Sequence, residues 1–327
     1  RAREFAGRSP RNGAGAGIRL TPLKKTRRAD AIDYQFVGVE IDHTHRTATV
    51  TVKAPEKDPP ASLDALVAGG AGFWPLQIAR ELDDAILDLR NNEFEIGAFI
   101  FKSSGDGARV LACDAFLSAH EEHWLVNEIR HYWKRVLKRL DVTSRSLVAL
   151  VEPGSCFAGT LAEIVFACDR SYMLVGQLEG DNRKPAALAL SAMNFGPLPM
   201  VNGLTRLQSR FLGEPEAVAA LEARQGESLE AEEAEALGLV TFALDDIDWS
   251  EEVRVFLEER TSFSPDSLTG MEANLRFNGP ETMESKIFAR LTAWQNWIFQ
   301  RPNAVGEEGA LRHYGTGKRP VYDMRRV

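Results

Sequence analysis

The sequence predicts an α/β fold built on a largely parallel sheet, and three observations carry that expectation. Short apolar runs at residues 96–101, 147–151 and 170–175 read as buried strands. Between them lie stretches with apolar residues three and four apart, Ile78, Leu82, Ala85, Ile86 and Leu89 first, then Leu125, Ile129, Tyr132, Val136 and Leu140. Strand and helix in alternation are the pattern of parallel pairing. The third observation is the stretch 147–175, where a strand passes through Pro153, Gly154, Ser155, Ala158 and Gly159 into a short helix at about 160–168. A helix start of that kind leaves backbone N–H groups without partners and carries partial positive charge. It can hold an anion, or a carbonyl oxygen becoming an oxyanion.

In chain order, residues 1–33 read as a basic connector: residues 1–28 hold nine Lys or Arg and one acid, Glu4. The glycine run at 13–17 follows no strand and opens no helix, so it is not a dinucleotide loop. Val37, Val39 and Ile41 alternate, as do Ala48, Val50 and Val52, and the DHTHR segment between them makes this a hairpin. After a loop rich in Pro and Gly, Pro75 suits the first turn of the first long helix. A glycine loop follows the strand at 96–101, and 110–112 reads as a further extended piece. A long helix covers about 120–140. Beyond 175 come a short extended piece at 186–190, a turn at 194–203, two short helices, and an acid-rich helix that stops at Gly238 before a strand into Phe242. From Trp249 onward the pattern is helical. Ile287, Phe288, Leu291, Trp294, Trp297 and Ile298 on one helix call for an apolar partner. The organisation expected is a connector at 1–33, an α/β core at 34–260 and a helical region at 261–327.

Composition narrows the function classes. At 327 residues the chain can bury a sizeable core. The net charge of −8, with an acidic body, argues against a polyanion partner, and no nucleic-acid motif accompanies the basic start. No apolar run reaches the length of a membrane span, and no signal peptide is visible. Three cysteines, Cys113, Cys156 and Cys168, fit buried thiols in a reducing cytoplasm. The chain begins at Arg1 without an initiator Met and reads as part of a longer one.

Each chemical candidate has a structural alternative. Glu163, three residues after Thr160, suits a general acid or base beside an oxyanion site, or one side of a capping box with Thr160. Cys156 could be a nucleophile, but no base is implied nearby, so a buried thiol is the reading. Ser155 lacks the glycines of a nucleophile elbow. Asp106 and Asp114 read as solvated, and Asp169 as a turn or ion-pair residue. His43 and His45 read as turn residues. His120, His123 and His131 do not have a zinc spacing.

The segment ALVEPGSCFAGTLAEIVFACDRSYM, 149–173, resembles the crotonase (enoyl-CoA hydratase/isomerase) superfamily around one of its oxyanion N–H groups, and GESLEAEEAEALGLV resembles its late helix and strand. PPASLDALVAGGAGFWPL, DVTSRSLVALVEPGSCFAGT, LTGMEANLRFNGPETMESKIF and LTAWQNWIFQRPNAVGE resemble a narrower branch, with two crotonase-like halves, that opens the ring of 2,3-epoxybenzoyl-CoA by hydrolysis and releases formate. The resemblance covers nearly all of 34–327 and is to the second half. It implies a spiral core of ββα units and a helical C-terminal region, an acyl-CoA substrate, no metal or other cofactor, and the upstream half or further copies as partners. It places the two oxyanion N–H groups near Ala112 and near Thr160, where the family has glycine, and the first acid/base glutamate on Glu163. The second glutamate falls on Ala192, which cannot transfer a proton. Lys57 and Lys102 lie in loops suited to CoA phosphates. Three readings follow: the supporting half of such a lyase with a degenerate site, a non-catalytic scaffold, or a stand-alone hydratase or isomerase using Glu163.

Overall fold

The computed structural model describes residues 1–8 and 17–325. Most of the glycine run at 13–17 therefore lies outside the described residues. Among the described residues, ten strands form two sheets. In the larger one, β1 (Thr26–Arg27), β2 (Ala31–Asp33), β3 (Val37–Asp42) and β4 (Thr47–Lys53) pair antiparallel in sequence order. The sheet continues in parallel through β5 (Ala98–Ser104), β6 (Ser146–Val151), β7 (Arg170–Leu174) and β10 (Phe242–Leu244). The smaller sheet is β8 (Ala187–Leu188) with β9 (Leu229–Glu230), antiparallel. The helices that shape the molecule are α1 (Trp74–Asn92), α2 (Gly107–Ala119), α3 (Trp124–Asp141), α4 (Ala162–Ala167), α5 (Arg206–Arg210), α6 (Trp249–Ser262), α7 (Pro265–Leu275) and α8 (Thr292–Ile298).

The parallel strands read as unbroken apolar runs because both faces of the sheet are covered. Phe99, Phe101, Leu147, Ala149 and Val151 face the main core with α1 and α3. Ile100, Val148, Leu150, Tyr172 and Leu174 face the other way, against Trp249, Val253 and Phe256 of α6. The buried indole of Trp133 on α3 donates to the Pro75 carbonyl at 2.9 Å, which fixes α3 against the start of α1.

Three expectations change. The stretch 1–33 is not all connector: β1 and β2 extend the sheet, and Lys25 is held by Asp84 and Asp88 of α1 at 2.8 and 2.7 Å. Residues 110–112 are helical, because Asp106 accepts from the Ala108 N–H and starts α2 just past the strand. Among the described residues, the aromatic C-terminal helix packs on α7 and leaves part of its apolar stretch exposed. A Cβ at Gly270 of α7 would stand 2.7 Å from Ile298 and 3.6 Å from Trp294, so this face packs against α7. Phe288 and Leu291 remain 74% and 51% exposed.

Candidate functional site

The turn after β6 is where the sequence pointed, and neighbouring segments fix its geometry. Ala158 bridges Ala189 in parallel, and the Gly159 N–H donates to the Ala189 carbonyl at 2.9 Å. Gly159 takes φ +48, and any side chain there would collide with its surroundings: a Cβ would lie 1.9 Å from Asp114 Oδ2 and 2.7 Å from Ser191 Oγ. Glycine at 159 thus lets the turn close over a carboxylate supplied by α2.

That carboxylate occupies the N–H that the sequence nominates for an oxyanion. The Thr160 N–H donates to Asp114 Oδ2 at 2.7 Å, and the Thr160 hydroxyl donates to Oδ1 at 2.6 Å. The Ser191 hydroxyl also donates to Oδ2, at 2.7 Å. Asp114 is 1% exposed, and burial raises its pKa from 3.8 to about 6 against the pull of these three donors. The expectation of a solvated Asp114 is corrected: α2 presents its Asp114 face with Val110, Cys113 and Leu117 to the interior.

Glu163, fully buried in α4, faces a second polar cluster. Asn194 Nδ2 donates to Glu163 Oε1 at 2.7 Å and to the Gly159 carbonyl at 2.9 Å. Arg206 donates to Glu163 Oε2 at 2.9 Å, to both oxygens of Asp141 at 3.2 and 2.7 Å, and to the Leu198 carbonyl at 3.1 Å. Arg206, Asp141 and Glu163 have side chains at most 2% exposed. Burial raises both carboxyl groups, and Arg206 opposes the rise. The capping box expected between Thr160 and Glu163 is absent, because both side chains bond elsewhere and no side chain caps α4. The box forms instead at Ser191 and Asn194, where the Ser191 N–H donates to Asn194 Oδ1 at 2.9 Å.

The remaining candidates are spread over the molecule. Ala112 is the sixth residue of α2. A helix-interior N–H is already bonded to the carbonyl four residues back, so Ala112 does not present a free donor. Ala192 is exposed and lines a 290 Å³ hollow with Asp114, Ala115 and Ser118. Lys102 pairs with Glu152 at 2.9 Å. Lys57 lies at a 480 Å³ groove floored by Phe36, Leu66, Phe73 and Trp74. Burial raises the Cys113 thiol to about 12 and Cys156 to about 11, so neither is a thiolate near neutral pH. Ser155 accepts from the Glu152 N–H at 3.0 Å. Asp169 accepts from the Leu147 N–H at 2.7 Å and pairs with Arg276. Among the described residues, no group of His, Cys, Asp and Glu is arranged to hold a metal ion. No described helix is long and apolar enough to cross a membrane.

Solved structures give the fold a name. An enoyl-CoA hydratase from Geobacillus kaustophilus superposes with a TM-score of 0.61 at 16% identity, covering 93% of this chain and all of that one. The chain has the crotonase fold. An enoyl-CoA hydratase/isomerase from Cupriavidus metallidurans gives 0.60 at 15% identity, covering 88% of this chain and 97% of its own. These likenesses show the fold alone. In sequence, the chain is 51% identical over all 327 residues to a benzoyl-CoA-dihydrodiol lyase from Aromatoleum evansii. It spans 58% of that relative's length. No protein-family profile matches.

Sequence reasoning missed Asp114, Ser191, Asn194, Asp141 and Arg206. One signal was available: Asp114 lies four residues after Val110 and three before Leu117, on an apolar helical stripe. Nothing local marks Arg206 or Asp141, whose roles exist only once α3, α4 and α5 meet.

Proposed function

We propose that this chain is a catalytically silent crotonase unit of a lyase that does what its 51% identical relative is named for. The reaction proposed for the whole protein is hydrolytic ring opening of 2,3-epoxybenzoyl-CoA. Two water molecules enter, formate leaves, and a C6 semialdehyde CoA thioester remains. It needs acid/base groups and an oxyanion hole, with no cofactor beyond the CoA of the substrate. The rest of the lyase supplies the working pair of glutamates.

The observation that carries the silent role is the Thr160 N–H, which donates to Asp114 at 2.7 Å. A thioester oxygen would have to displace a buried carboxylate held by three donors. The proton-transfer groups agree with this: Glu163 is locked between Asn194 and Arg206, and position 192 is alanine. General acid and base groups each contribute roughly 10²–10⁴ in rate, so their loss leaves little hydrolytic chemistry in this unit. The Lys57 groove is proposed to hold part of the CoA chain without transforming the acyl group. Three cysteines without disulfide bonds support a cytoplasmic location.

The test is semialdehyde formation from 2,3-epoxybenzoyl-CoA. The chain alone is expected to give no turnover. Glu163→Gln in the whole lyase is expected to keep kcat within about threefold, because the residue touches no reacting atom, while lowering the unfolding midpoint. Turnover by the chain alone that Glu163→Gln abolishes would overturn the proposal.

A further inference from the structure

A pocket of 360 Å³ opens at the N-terminal edge of the parallel strands, away from the Thr160 turn. It lies between the start of β7, α5 and the helices α6 and α7, and five arginines line it. Three have carboxyl partners. Arg206 meets Asp141 and Glu163 at 2.7 and 2.9 Å. Arg276 meets Asp169 at 2.8 Å and Glu272 at 3.1 Å, and Arg260 also meets Glu272. The other two have no carboxylate partner among the described residues. Arg170 lies over the Phe256 ring, 4.3 Å from its centroid. Arg210 donates through Nε to the Gly238 carbonyl. Burial lowers the Arg210 pKa, and the Cys168 thiol beside it is kept neutral by burial. Five guanidinium groups therefore share the three carboxylates that line this pocket, Asp141, Asp169 and Glu272, with Glu163 behind Arg206.

A half-buried guanidinium without a counter-charge carries a desolvation cost that a bound anion removes. Its planar fork matches an oxyanion, and carboxylate and phosphate both fit. The walls decide between them. Phe166, Met200 and Leu275 line the pocket beside the arginines, which gives an apolar body somewhere to lie. We propose that this pocket binds a small carboxylate with an apolar tail, its carboxylate on Arg210 and Arg170 and its tail against Phe166, Met200 and Leu275. The site is separate from the Thr160 turn and does not depend on the lyase reading.

Hexanoate, acetate and inorganic phosphate are the probes, titrated calorimetrically into the full chain. Saturable binding of one hexanoate is expected, tighter than acetate and tighter than phosphate. Arg210→Gln should weaken hexanoate about tenfold or more, the effect of losing one charge-assisted hydrogen bond. Lys24→Gln, at an exposed lysine outside the pocket lining, should leave it unchanged. If Arg210→Gln does not fold, Arg170→Gln carries the same expectation. Absence of saturable hexanoate binding overturns the proposal, as does binding that both arginine variants leave intact. Phosphate bound more tightly than hexanoate overturns the carboxylate assignment.

Discussion

Arg206→Met is expected to cost about 3–5 kcal/mol of stability at pH 8, the range seen when one partner of a buried ion pair is removed. The side chain is nearly isosteric along its stem, so the loss is electrostatic. Arg206 joins Asp141 of α3 to Glu163 of α4, and the methionine leaves both carboxylates buried without a cation. Glu163 keeps only the Asn194 amide. The sign with pH follows. In the variant, the folded-state pKa values of Asp141 and Glu163 rise further above their unfolded values. The folded state then holds protons that the unfolded state releases, and stability falls as pH rises through that interval. The deficit against the parent should therefore be smaller at pH 5 than at pH 8. Adding Asp141→Asn and Glu163→Gln removes the stranded charges and should recover most of the loss at pH 8. Urea unfolding of the parent, Arg206→Met and the triple variant at both pH values measures this. A loss independent of pH would mean that packing, and not charge, is the cause.

Asp114→Asn is expected to act in the opposite direction and to stabilise the chain at alkaline pH. Asp114 ionises near pH 6 in the folded state, against 3.8 ordinarily. Its folded pKa is raised, so the folded state binds the extra proton between these values and loses stability as pH rises through them. A rise of that size corresponds to about 3 kcal/mol. Asparagine fits the same network without charge. Its oxygen accepts from the Thr160 N–H and the Ser191 hydroxyl, and its NH₂ donates to the Thr160 hydroxyl, which turns to accept. The variant should gain up to about 3 kcal/mol above pH 7 and match the parent below about pH 4. Equal pH dependence of the two proteins in urea unfolding would contradict a buried, ionising Asp114.

The parallel core was legible in the sequence because β5, β6 and β7 are covered on both faces, so each reads as an unbroken apolar run. The β3–β4 hairpin was legible from strict alternation. The short β1 and β2 were not, since two and three residues carry no period and their pairing depends on the neighbouring strand. Residues 110–112 misled for a similar reason: one β-branched residue beside a glycine loop looks extended, while the decisive signal was the Asp106 cap. The turn at Gly159 and Thr160 could be located from sequence, but its state could not. Asp114 is 46 positions from Thr160, and Ser191 is 77 from Asp114. Only the packing of α2 against the turn brings a carboxylate to the N–H that a thioester would need. Glu163 shows the same limit, since Arg206 lies 43 positions away. Spacing offered a cap or a catalytic acid, and the fold sets it between Asn194 and Arg206.

The backbone amide of Thr160 is the most direct probe of a closed site. Its ¹H–¹⁵N resonance should move with pH around a midpoint near 6, following the Asp114 carboxylate it bonds. Addition of saturating benzoyl-CoA should leave it in place. A Thr160 amide that ignores pH across that range and instead shifts saturably with the thioester would show an open oxyanion hole, and the unit could not then be silent.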